Sequence, residues 1–134
     1  MNTKLNQILA EISAGELLDK ITILEIKKEK IKDEKNLKFI NDEYKVLKDE
    51  LDQNIKSDKK LEKLFQSLKE INSKLWIIED DKRLCEKNSD FGEKFIKLSR
   101  DVHLLNDNRA KLKLEINNYT GSKIREIKEY TKYL

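Results

Sequence analysis

Apolar residues recur along this chain at helical spacing, with no stretch of strand-like alternation. Leu17, Ile21, Leu24 and Ile31 fall on one seam, interrupted by Lys28, while Leu18, Ile23 and Ile26 widen the apolar surface beyond a single stripe. A helix contacted on more than one side is therefore expected from about 14 to 32. Ser13 and Glu16 stand at capping-box spacing at its start. Upstream, residues 1–12 read as a lead-in, with Leu5, Ile8 and Leu9 suggesting a short helix. The next seam, Leu37, Ile40, Tyr44, Leu47 and Leu51, is out of phase with the first by one residue. That shift predicts a break near Asp33–Asn36 and a second helix over 36–54; one continuous helix with a stutter is the competing reading.

Ser57 is the expected cap of a long helix over 58–87, with the seam Leu61, Leu64, Leu68, Ile71, Leu75, Ile78 and Cys85. After the loop Asn88-Ser89-Asp90, Asp90 and Glu93 suggest a capping box for a helix over 91–119. Gly121 is its natural stop, and Ser122 opens a short tail helix over 122–132. Two helices of roughly 30 residues joined by a short loop must lie antiparallel. The pattern thus predicts one all-α domain, 1–134, an antiparallel helical bundle built on a long hairpin. Its heptads are sustained enough, as in a coiled coil, for two chains to share one core as a homodimer.

Composition agrees with helices. The chain has no Pro and three Gly, and 41% of its residues are charged. The 29 basic and 26 acidic residues nearly cancel, and residues 1–67 hold fourteen Lys and fourteen Asp/Glu. The basic excess lies beyond Arg109 and reads as a solvated helix face, so no nucleic-acid partner is expected. No apolar run approaches the roughly 20 residues that span a bilayer, and no membrane partner is expected. One Cys, one His and no secretory leader point to a cytoplasmic protein without a disulfide or a zinc site. There is no Gly-rich phosphate loop or nucleophile elbow, and no cofactor is expected.

Candidate chemistry appears where polar groups interrupt apolar seams. Arg109 stands between Leu105 and Leu112, and a buried guanidinium requires a carboxylate or a bound anion. Its bland reading is a structural ion pair with Glu79 or Asp80; the sharper one is a cationic pocket. Asn106, Lys113 and Asn117 continue the strip. Asp19 and Lys20 lie within the stretch that reads as buried on several sides, with Lys27 further along. Glu16 and Asp19 form an i,i+3 carboxylate pair, a common spacing in so charged a chain. Glu79 and Arg83 are an i,i+4 pair beside Trp76. His103 and Cys85 read as packed residues.

The string Gly15-Glu16-Leu17-Leu18-Asp19-Lys20-Ile21-Thr22-Ile23-Leu24-Glu25-Ile26-Lys27 resembles the opening signature of a family of small uncharacterised all-helical bacterial and phage proteins. Later pieces match in order: Leu75-Trp76, Glu79-Asp80 with Arg83, Asp90-Phe91-Gly92, Asn106-Asp107 with Arg109, and Gly121-Ser122 with Glu126. Ala14 departs from an expected Pro and His103 from an expected Tyr. The resemblance implies a helical fold and a residue list but no reaction.

Together these features lead to a binding protein with a polar pocket for a small anionic ligand or a protein partner. Lys20, Arg83 and Arg109 would supply positive charge, Asp19 and Glu79 would hold those cations, and Lys27 and Asn106 would complete the site. The reading requires three helices to bring these groups to one place. Two enzyme readings compete. One is a magnesium-dependent all-helical nucleotide pyrophosphohydrolase using Glu16, Asp19, Glu79 and Asp80. The other is a helical enzyme like the chorismate mutases, clamping a dianion with cationic side chains.

Overall fold

A computed structural model describes residues 5–133. Four helices follow one another: α1 (Ala14–Lys30), α2 (Glu34–Asn54), α3 (Lys59–Lys87) and α4 (Glu93–Thr120). No strand occurs among the described residues. α1 is the central element and packs against all three others. Leu17, Leu18, Asp19, Ile21, Thr22, Leu24 and Ile26 are all buried, so it is covered on more than one side, as its widened apolar surface predicts. Leu18 meets Leu61, Leu64, Leu68 and Ile116 in the main core.

Local signals place most of the helix ends. Ser13 Oγ accepts from the Glu16 amide at 3.0 Å. The break after α1 is real, and Asp33 caps α2 by accepting from the Asn36 amide at 3.0 Å. α2 lies against α1 and buries only Ile40 fully. α3 is capped by Asp58, not Ser57, through a 2.8 Å bond from the Leu61 amide. Asp58 is also the acceptor of the Tyr119 hydroxyl, which ties the start of α3 to the end of α4.

The α3–α4 hairpin has the expected long arms and a tight tip, where Ser89 adopts φ 53°. The capping box proposed for Asp90 and Glu93 does not form. Asp90 Oδ1 instead accepts from the Gly92 amide two residues on, at 3.2 Å, and α4 begins at Glu93. An Asp closing on its own backbone in this way competes with capping. At 1.5 Å per residue α3 is about 43 Å long and α1 about 25 Å, so the hairpin outruns α1.

Two expected elements are absent. Residues 5–13 form no lead-in helix, and Leu5, Ile8 and Leu9 are exposed; residues 1–4 of that segment lie outside the described residues. Residues 123–133 form no tail helix either. Helices this short are marginal without an apolar face to bury. The expected cap is also diverted, because Ser122 Oγ accepts from the Ala14 amide at 3.2 Å. Gly121 does end α4, at φ 72°, in the left-handed region that Gly enters without penalty.

Candidate functional site

The start of α1 lies directly on α4. A Cβ at Gly15 would fall 2.5 Å from the Lys113 carbonyl oxygen, so only Gly permits this approach. The Gly15 amide donates to Asn117 Oδ1 at 2.6 Å. One turn further, that proximity brings Asp19 to face Arg109. Arg109 donates from Nε to Asp19 Oδ1 at 2.9 Å and from Nη2 to Oδ2 at 2.5 Å, a forked pair on a carboxylate that is 1% exposed. Asn72 on α3 donates through Nδ2 to the same Oδ1 at 2.8 Å and to Thr22 Oγ1 at 2.8 Å. Thr22 in turn donates to the Asp19 carbonyl at 2.7 Å.

Lys113 extends the network outward. Its Nζ donates to Glu16 at 2.6 Å and to Glu126 at 3.1 Å, and lies 4.0 Å from Asp19 Oδ2. Burial pushes the Asp19 carboxyl up, but the hydrogen bonds from Arg109 and Asn72 and the charges of Arg109 and Lys113 outweigh it. The net direction is below the usual carboxylate value. Burial likewise pulls Lys113 down, and Glu16 and Glu126 more than reverse it, holding the ammonium charged. The bond to Asp19 raises Arg109 further. Among the described residues no buried side-chain polar atom lacks a partner.

Of the residues singled out from the sequence, Glu16, Asp19, Asn106, Arg109 and Lys113 come together; Asn106 Oδ1 accepts from Arg109 Nη1 at 3.4 Å. Lys20 is turned outward and stands 3.8 Å from Glu16. Lys27 is half-buried, without a side-chain hydrogen bond or ion pair among the described residues. Glu79 and Arg83 pair with each other at 2.8 Å on an exposed part of α3. Neither reaches the Asp19 network, so the convergence of all three groups does not occur. The expected partner of Arg109, Glu79 or Asp80, is replaced by Asp19. Glu79 lies two turns beyond Asn72, about 10 Å along α3, whereas α1 occupies the hairpin groove at the level of Arg109.

Asn72 in this network is missing from the sequence-derived candidates, and Thr22 and Glu126 enter them only through the family resemblance. Asn72 carried a signal, since it stands four residues after Leu68 and three before Leu75, a spacing that places it on the buried face. Glu126 has only its place in the family resemblance as a signal, and its role depends on where an irregular segment runs.

A family model described as a family of unknown function, DUF6165, matches residues 8–134. The chain belongs to that family. Comparison with curated proteins and with solved structures gives no match. The DUF6165 match therefore brings no activity to the site, and its chemistry must be read from its geometry.

Three of the four acids that metal-dependent phosphate chemistry would gather in this DUF6165 chain are paired with cations. Glu16 holds Lys113, Asp19 holds Arg109, and Glu79 holds Arg83. Among the described residues no group of three His, Cys, Asp or Glu side chains is placed to share a cation. Of the cations a dianion clamp would use, Arg109 has its Nε and Nη2 donors on Asp19. Beside a smaller cleft of about 290 Å³ among α1, α2 and α3, the structure has one of about 550 Å³ between α4 and residues 126–133. Lys113 joins it to the network. Lys111, Lys128 and Lys132 add positive charge, and Asp107 and Glu126 oppose it. Leu104, Leu114 and Ile127 supply apolar surface, and Tyr130 and Tyr133 supply aromatic surface. Among the described residues no helix is long and apolar enough to cross a membrane.

Proposed function

We propose that this protein works by binding a small anionic ligand with an apolar or aromatic part in the cleft between α4 and the C-terminal segment. The observation that carries the reading is the lining: four lysines against two acids, with apolar and aromatic surface around them. A cleft of this volume is in the range that small-molecule sites occupy. The Asp19–Arg109 pair is the support beneath the site, holding α4 and Lys113 in position, and does not touch the ligand. A reducing compartment, the cytoplasm, suits a chain whose one cysteine, Cys85, is buried as a free thiol.

A thermal-shift panel of nucleotides, sugar nucleotides, citrate and pyrophosphate tests it. A ligand at 100 times its Kd stabilises the fold by about 2.7 kcal/mol, a rise of several degrees in Tm for a domain of this size. Lys111→Ala and Lys132→Ala, both at exposed positions, should weaken the response without lowering the ligand-free Tm. A flat panel overturns the reading.

A protein partner, a second copy included, is the second reading. It rests on the hairpin beyond the reach of α1. From Trp76 to Leu105 Cys85 is the one buried residue, and Ile77, Leu84, Phe91 and Ile96 are about half exposed. Sedimentation of the full chain at increasing concentration tests for the second copy.

A further inference from the structure

Lys113 is the point where the cleft meets the core. Its side chain is only 9% exposed, and three carboxylates surround it. Asp19 and Glu16 belong to α1, whose first turn is fastened to α4 and its cap through Gly15–Asn117 and Ala14–Ser122. Glu126 comes from a segment without secondary structure, and its side chain is 43% exposed.

The charges make the three acids unequal. Arg109 and Lys113 bring two positive charges to the network, and Asp19 and Glu16 bring two negative ones. The pairing is complete without Glu126. It is the one acid of the three that can leave without stranding a buried cation, which is the expensive event in such networks.

We propose that Glu126 is a built-in occupant of an anion position on Lys113, and that an incoming anion takes its place and frees residues 123–133. This rests on the anion-binding reading above and adds the identity of the subsite and its regulation. Lys128 stands 3.5 Å from the other Glu126 oxygen, so the departure of Glu126 frees Lys128 and opens the one donor position of Lys113 that Glu126 fills, while Glu16 keeps its own. A multiply charged anion, such as a diphosphate or a tricarboxylate, meets both at once and gains over a single carboxylate. The far end of the segment is held separately, by the Tyr133 hydroxyl donating to Asp107 at 2.5 Å and by the edge-on packing of Tyr133 on His103. These contacts are exposed and give way more readily once the inner anchor is lost.

The test uses the full chain and its Glu126→Gln variant, with inorganic pyrophosphate and citrate as probes. Sodium chloride at matched ionic strength separates displacement from simple screening. Binding is read by calorimetry and release of the segment by chymotryptic cleavage after Tyr130. Pyrophosphate should speed that cleavage several-fold in the wild type, where chloride does not. Glu126→Gln should be cleaved rapidly without any probe. It should also bind pyrophosphate about tenfold more tightly, the gain expected if the segment is closed for roughly nine-tenths of the time. Equal affinity in the two proteins, or protection of Tyr130 by pyrophosphate, overturns the exchange while leaving the anion site standing. Absence of binding in both proteins overturns the anion site and the exchange together.

Discussion

Asp19 and Arg109 lie 90 positions apart and meet through two N–H···O bonds, Nε to Oδ1 at 2.9 Å and Nη2 to Oδ2 at 2.5 Å. The planar fork fixes direction as well as distance, so it sets the rotation of α1 about its axis against α4. Asn72 then brings α3 to the same carboxylate. One buried acid thereby joins three helices.

Breaking that pair from either side should be costly. Arg109→Ala takes the forked partner from the buried Asp19 and leaves it only Asn72 and, 4.0 Å away, Lys113, so a loss of about 3 kcal/mol is expected in urea unfolding. Asp19→Ala should cost a similar amount. Arg109→Lys keeps the charge and loses the fork, so it should fall between wild type and Arg109→Ala. Single variants within 0.5 kcal/mol of wild type would show that the pair does not hold the bundle together.

Acid should act through the same residue. The folded Asp19 carboxyl titrates below its unfolded value, so its contribution is complete above the unfolded value, about 3.9, and is lost as pH falls through the lower folded one. Chemical denaturation between pH 7 and pH 2 should show stability falling on that limb, and Asp19→Asn should flatten it. Lys113 is shifted the other way, so its contribution is complete below the ordinary lysine value and declines as pH rises through the higher folded one. An unchanged acid limb in Asp19→Asn would place the acid sensitivity elsewhere.

The two structural glycines should respond for different reasons. At Gly15 an added methyl meets the Lys113 carbonyl, a backbone atom that cannot move aside, and Gly15→Ala should destabilise by about 1–3 kcal/mol despite the better helix propensity of Ala. At Gly121 the space is open and only the positive φ is penalised, so Gly121→Ala should cost about 1 kcal/mol. The urea midpoints of the two variants check the order, and a Gly15→Ala protein as stable as wild type would contradict the close approach of α1 to α4.

Glu79 and Arg83 provide the contrast. Their exposed i,i+4 pair contributes a few tenths of a kcal/mol at most, so Glu79→Ala and Arg83→Ala should each leave the unfolding midpoint nearly unchanged. A loss above 1 kcal/mol would tie this pair to the network after all.

The periodicity of Leu and Ile marked out the regions of the four helices and the hairpin, but it left the break after α1 open against a stutter and added lead-in and tail helices that do not form, because local pattern does not say which face finds a partner to bury it. Arg109 was legible as a special position because it interrupts an apolar seam. Its partner was not. A seam says that a face is covered and does not say by which helix, or at what height. Gly15 permits close approach, and that approach sets the level at which Asp19 meets Arg109. The C-terminal segment shows the same limit. Ser122 has the local character of a helix cap, but its hydroxyl is spent on the first amide of α1, 108 positions earlier, and Glu126 is drawn to a lysine on α4. Short-range pattern marked the long helices of this protein and failed at its two ends, where, among the described residues, no partner covers an apolar face. Its charges were apportioned only in three dimensions, because the strength of an ion pair depends on distance and burial, and both are set by how the helices pack.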